Sequence, residues 1–101
     1  MAPSKEVTIK GAEIFIDTFE TIEQMRQVGD CSKEMCLKMI QQVYPRWTWD
    51  NLNTLLFCLS YAGLIEGLRI ENKEIMEPIR PKLTDKAKAE LAERKKVVES
   101  A

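Results

Sequence analysis

The strongest constraint on the fold is a change of hydrophobic period partway along the chain. The apolar residues Ile9, Ala12, Phe15, Ile16, Phe19, Ile22 and Met25 recur at three- and four-residue steps, the signature of an amphipathic helix. The same period returns in Cys36, Met39, Ile40 and Val43, widened by Met35 and Leu37, and again in Leu52, Leu55, Leu56, Leu59 and Ala62. Between residues 64 and 83 it gives way. Leu68 and Ile70 alternate with polar neighbours, Ile75 and Ile79 do so less cleanly, and Glu71-Asn72-Lys73-Glu74 lies between them as a turn. That pattern predicts a two-stranded hairpin. Pro78 and Pro81 restrict it to an edge strand or its exit, because neither offers a ladder donor. An isolated hairpin is marginal in water, so this one must pack on the helices.

Helix punctuation sets the boundaries. Residues 1–8 are polar, include Pro3 and Ser4, and read as a flexible N-terminus. The first helix is expected over about 9–28, stopped at Val28-Gly29. Asp30 or Ser32 caps a second over 32–44, which Tyr44-Pro45 ends because the residue before proline avoids the helical region. After the Arg46-Trp47 turn, Thr48 caps a third helix over 48–62, and Gly63 stops it. The hairpin occupies 64–83, and Thr84 caps a last helix over 84–99 with a thin stripe of Ala87, Leu91 and Val98. The expectation is one mainly α domain over 9–101 with a small β-hairpin, in the order α-α-α-β-β-α. A chain of 101 residues supports one core of this kind.

Composition narrows the function. There is no histidine, which removes Ser-His-Asp and Cys-His nucleophile systems, imidazole general bases and every histidine-containing zinc site. No other catalytic, metal or cofactor motif is visible, so an enzyme is not expected. The carboxylates Glu13, Asp17, Glu20 and Glu23 share one face of the first helix and read as a solvated surface. Fifteen Lys and Arg stand against sixteen Asp and Glu, a net charge of −1, which argues against a non-specific coat for nucleic acid but leaves room for a local basic patch. The longest apolar run, Leu55 to Leu59, falls far short of the ~18 residues a membrane span needs. Cys31, Cys36 and Cys58 lack C-x-x-C spacing and read as buried or half-buried thiols of a reducing cytoplasm. The first residues hold no apolar signal segment, consistent with a cytoplasmic protein.

Three pieces carry a resemblance to a known fold. The second and third predicted helices, with Tyr44-Pro45-Arg46-Trp47 between them, look like a helix-turn-helix pair. Leu56-x-x-Leu59-x-x-x-Gly63-Leu64-Ile65 is similar to the exit from the third helix into a wing, and Leu83-Thr84-Asp85-Lys86-Ala87 resembles the return from the wing to a last helix. Together, over about residues 10–91, they resemble the winged helix-turn-helix proteins of the MarR and PadR kind. The resemblance implies a homodimeric transcriptional regulator that binds double-stranded DNA, with the third helix in the major groove and the wing on the backbone. Its groove-facing positions would be Trp49, Asp50, Asn53, Thr54 and Phe57.

On this reading Asn53 meets an adenine edge and Thr54 a thymine methyl or a phosphate. Lys33, Lys38, Arg46, Arg69, Lys73, Arg80 and Lys82 supply the phosphate contacts. The sequence departs from the pattern in one respect: no Lys or Arg lies between Thr48 and Ile65. A second reading therefore stands beside the first, a winged-helix module that binds protein through Trp49, Phe57 and Tyr61. Trp47 is expected in the core, and Arg94-Lys95-Lys96, diluted by Glu90, Glu93 and Glu99, on a solvated helix face.

Overall fold

The computed structural model describes residues 5–100, with side chains from residue 9 onward. Four helices carry most of the chain: α1 (Lys5–Val28), α2 (Lys33–Gln41), α3 (Trp49–Tyr61) and α4 (Asp85–Glu99). Between α3 and α4 lie four two-residue strands, β1 (Ile65–Glu66), β2 (Ile70–Glu71), β3 (Glu74–Ile75) and β4 (Lys82–Leu83). They form one nested antiparallel hairpin rather than two continuous strands. β1 pairs with β4 at its foot, Ile65 opposite Leu83, and β2 pairs with β3 at its tip, Ile70 opposite Ile75. A single bridge, Cys31 to Ile79, adds the α1–α2 connection to the returning arm.

The core gathers around α1. Phe19, Ile22 and Met25 meet Cys36 and Ile40 of α2, Leu52, Leu56 and Leu59 of α3, and Ile65, Ile75, Ile79 and Leu83 of the hairpin. One cluster spans every layer, so the hairpin obtains from the helices the apolar backing that it cannot make alone. α4 lies along α1 and buries only Ala87, with Leu91 half-buried. Its thin stripe is completed by Arg94, whose guanidinium stacks 5.0 Å from the Phe15 ring centroid. Thr18 and Thr21 are buried in α1, and their hydroxyls donate to the carbonyls of Ile14 and Asp17 one turn back.

Element ends follow capping chemistry. Ser32, not Asp30, caps α2, its Oγ accepting from the Met35 amide at 3.1 Å, and the hairpin contributes a second cap when Glu77 Oε1 accepts from the Lys33 amide. α3 opens with a reciprocal pair: Thr48 Oγ1 accepts from the Asn51 amide, and Asn51 Oδ1 accepts from the Thr48 amide. α3 closes in a Schellman turn, with Gly63 at φ +77° and the Leu64 amide donating to the Leu59 carbonyl. Thr84 ties that exit to α4. Its hydroxyl donates to the Gly63 carbonyl at 2.7 Å and accepts from the Ala87 amide, while its own amide donates to the Leu64 carbonyl.

Three expectations are corrected. α1 begins at Lys5, inside the stretch read as flexible, because a formed helix extends backward cheaply through helix formers such as Lys5 and Glu6; the rest of that stretch, residues 1–4, lies outside the described residues. α2 ends at Gln41, before 44, since the Val43 and Tyr44 amides both converge on the Ile40 carbonyl and tighten the last turn. Cys58 is exposed, whereas Cys31 and Cys36 are buried: Cys58 shares the outward face of α3 with Asn51, Thr54 and Tyr61, opposite the leucines. Burial pushes the Cys36 thiol up to about 12 and raises Cys31 as well.

Candidate nucleic-acid interface

The α2–α3 connection is rigid. Tyr44 and Trp47 stack at 5.3 Å between centroids, the Trp47 amide donates to the Tyr44 carbonyl, and Gln41 Nε2 donates to the Trp47 carbonyl at 2.8 Å. Trp47 packs against the core as the sequence predicts. The Tyr44 hydroxyl donates to Asp17 Oδ2 on α1, and burial together with that carboxylate pushes the phenol up to about 12. This anchoring leaves Arg46 exposed on a fixed turn two residues before the Thr48 cap.

On the other side of α3 stands the hairpin tip. Asn72 (φ 51°) and Lys73 (φ 63°) form a two-residue turn in which both residues are left-handed, the geometry that matches strand twist. Asn53 fixes this turn against α3: its Nδ2 donates to the Lys73 carbonyl at 3.0 Å and its Oδ1 accepts from the Ile75 amide at 2.8 Å. Trp49 adds a second tie, its Nε1 donating to Glu74 Oε1 at 2.8 Å, and Lys33 Nζ reaches the same oxygen at 2.9 Å while lying 5.5 Å from the Trp49 ring centroid. The Lys33 ammonium, and after it the Trp49 indole, hold the Glu74 carboxyl below its ordinary value.

These contacts divide the candidate DNA-binding residues. Asn53 is occupied by the hairpin backbone at both ends of its amide and so serves as a joint, not a free reader. Lys33 is paired with Glu74, Lys38 with Glu34 at 3.1 Å, and Arg80 with Asp30, whose carboxyl that contact pulls below its ordinary value. Arg69 donates to the Glu77 carbonyl and lies 4.0 Å from Glu71. Lys82 sits at the foot of the hairpin beside α1 and α4, away from the tip. Arg46, Thr54 and Lys73 remain exposed, and neither Arg46 nor Lys73 meets a carboxylate within 4.0 Å among the described residues.

The candidate protein anchors divide as well. Trp49 is half-buried and bound to the hairpin, and Phe57 is half-buried. Tyr61 is 88% exposed at the end of α3.

Gly67 is a position that the sequence analysis missed. It has φ +85°, and a Cβ there would stand 2.7 Å from the Arg80 carbonyl oxygen, so the arms of the hairpin close only over glycine. An isolated glycine two residues into an alternating stretch is the signal that could have marked it. For Asn53, the available signal was a mid-helix asparagine, a residue whose side chain usually finds a backbone partner.

No helix among the described residues is long and apolar enough to cross a membrane. Comparison of the chain with known protein families, with curated proteins and with solved structures found no match.

Proposed function

We propose that the protein is a winged-helix module that binds double-stranded DNA as a homodimeric transcriptional regulator, with α3 toward the duplex and the hairpin as its wing. The observation that carries this reading is the placement of two unpaired cations on rigid supports on either side of α3: Arg46 on the stacked Tyr44–Trp47 turn, and Lys73 on the turn that Asn53 clamps. Preorganised cations flanking an exposed helix suit phosphates on the two sides of a groove. Thr54 lies exposed between them, able to meet a base edge or a sugar-phosphate. The bridge from Cys31 to Ile79 also supports the winged-helix reading, since it ties the helix pair to the hairpin on both sides. Lys33, Lys38, Arg69 and Arg80 belong to a second rank: their carboxylate partners are half-exposed or exposed, and such surface pairs exchange readily for phosphate.

The test is fluorescence anisotropy with a mixed-sequence duplex at two salt concentrations. Wild type binds at low salt, and Arg46→Ala and Lys73→Ala each weaken binding and reduce the log–log salt slope by about 0.9. Absence of binding even at low salt overturns the reading.

One observation favours the second reading, a protein-binding module. The outward stripe Asn51, Thr54, Cys58 and Tyr61 holds no cation and ends in a tyrosine with most of its surface in water. Aromatic side chains presented in this way are efficient protein anchors. A chain that fails to bind duplex DNA but loses its oligomeric state on Tyr61→Ala would establish this alternative.

A further inference from the structure

The foot of the hairpin holds a cavity that the DNA reading does not use. It has a volume of about 270 Å³ and lies where α1, β4 and the first turns of α4 meet, lined by Glu23, Arg26, Lys82, Leu83, Lys88 and Leu91. Secondary structure dictates this composition. In β4 the side chains alternate, so Leu83 turns inward and Lys82 stands at the rim. Lys88 and Leu91, three residues apart, share a face of α4, as do Glu23 and Arg26 on α1. The result is an apolar floor of Leu83 and Leu91 ringed by three cations and one acid.

The charges there are poorly matched. Arg26 touches Glu23 at 3.8 Å, with both side chains substantially exposed. Lys82 and Lys88 meet no carboxylate within 4.0 Å among the described residues, although Glu66 stands opposite Lys82 in the β1–β4 ladder. Elsewhere the chain pairs its cations, as in Lys33–Glu74, Arg80–Asp30 and Arg94–Glu90. An excess of about two positive charges over an apolar floor, in a cleft below the usual size for a drug-like ligand, selects a small anion with a carbon body.

We propose that this cavity binds a small organic phosphate monoester. The phosphoryl group, which carries nearly two negative charges at neutral pH, would lie among Arg26, Lys82 and Lys88, with the carbon body on Leu83 and Leu91. Glu66 competes for Lys82 and weakens the site. This inference is independent of DNA binding, since none of the lining residues belongs to the Arg46–Lys73 pair.

The experiment is a methyl and amide NMR titration of the full chain with phenyl phosphate, and with inorganic phosphate, phthalate and phenol as comparisons. Phenyl phosphate is expected to shift the Leu83 and Leu91 methyls and to bind more tightly than inorganic phosphate or phthalate, with phenol weakest. Lys82→Gln and Lys88→Gln each weaken it by about three- to tenfold, Lys95→Gln leaves it unchanged, and Glu66→Gln strengthens it about twofold. The substituted side chains are exposed, and thermal melts of each variant confirm that the fold is retained. No shift at Leu83 and Leu91 by about 10 mM, or equal loss on Lys95→Gln, overturns the site. Phthalate binding as tightly as phenyl phosphate overturns the phosphate assignment.

Discussion

The two ends of the hairpin carry similar residues in opposite settings. At the tip, Lys33 and Arg80 are held by Glu74 and Asp30, Arg69 by the Glu77 carbonyl, and the turn is locked to α3 by Asn53. At the foot, Lys82 and Lys88 face a cavity with no carboxylate in contact. Residues 66–83 contain four acids and four bases, a neutral segment by count. The acids Glu71, Glu74 and Glu77 all point their contacts toward the tip, so the neutrality is an average over an uneven distribution. The charge of a surface is thus decided by who meets whom, not by composition. The contrast also separates two kinds of support: the tip is held by specific polar bonds, and the foot by apolar burial of Ile65 and Leu83.

The sharpest way to break this picture is through the packing between the ends. Ile75, fully buried where the tip meets α3, should cost about 2–5 kcal/mol in urea denaturation on Ile75→Ala, enough to detach the tip from the body. Asn53→Ala should come next, at about 2 kcal/mol, because it leaves the part-buried Ile75 amide and the Lys73 carbonyl without partners. Its distinguishing readout is faster amide exchange at Ile75 and Met76 with little change at Ile65 and Leu83. If exchange rises equally at both ends, the hairpin is one cooperative unit and the contrast is wrong.

Charge and pH sharpen the comparison with smaller effects. Lys33→Gln should lower the melting temperature slightly, whereas Lys88→Gln should leave it unchanged or raise it by relieving like-charge repulsion. Thermal melts at low salt test the difference in sign. The smallest effect follows pH. Glu74 and Asp30 have carboxyls lowered below their ordinary values of 4.5 and 3.8, so they support the fold above those values and lose that support as pH falls through the folded-state titration. In a Trp47→Phe background, Trp49 emission should therefore change as acid protonates Glu74, its hydrogen-bond acceptor, while the Leu83 methyl resonances stay in place. Coincident changes at both sites would show that acid loosens the whole domain instead of the tip.

Much of the local structure was legible because it depends on neighbours in sequence. Thr48 and Thr84 cap their helices, Gly63 stops α3, and Asn72-Lys73 makes the hairpin turn, all from chemistry within a few residues. The candidate site was legible only in part. Arg46, Thr54 and Lys73 stand exposed as a surface role requires, yet Asn53 looked like a base reader until its partners twenty and twenty-two residues away appeared. Lys82 looked like a companion of Lys73 because both belong to one hairpin, but strand alternation and the interruption between the two ladders send it to the α1–α4 side. Cys58 looked apolar from its neighbours Phe57 and Leu59, and helical geometry alone turns it outward.

By itself the sequence determined the mainly helical architecture, the interruption of helical period at 64–83, and the absence of imidazole chemistry, because periodicity, caps and composition act over a turn or two of chain. Only the tertiary structure decided which cations are neutralised, that Asn53 is a joint, and that Lys82 and Lys88 share a cavity with Arg26. Those outcomes depend on distances between elements far apart in sequence, and a side chain's partner is set by the packing of Phe19, Ile22 and the α3 leucines that brings those elements together.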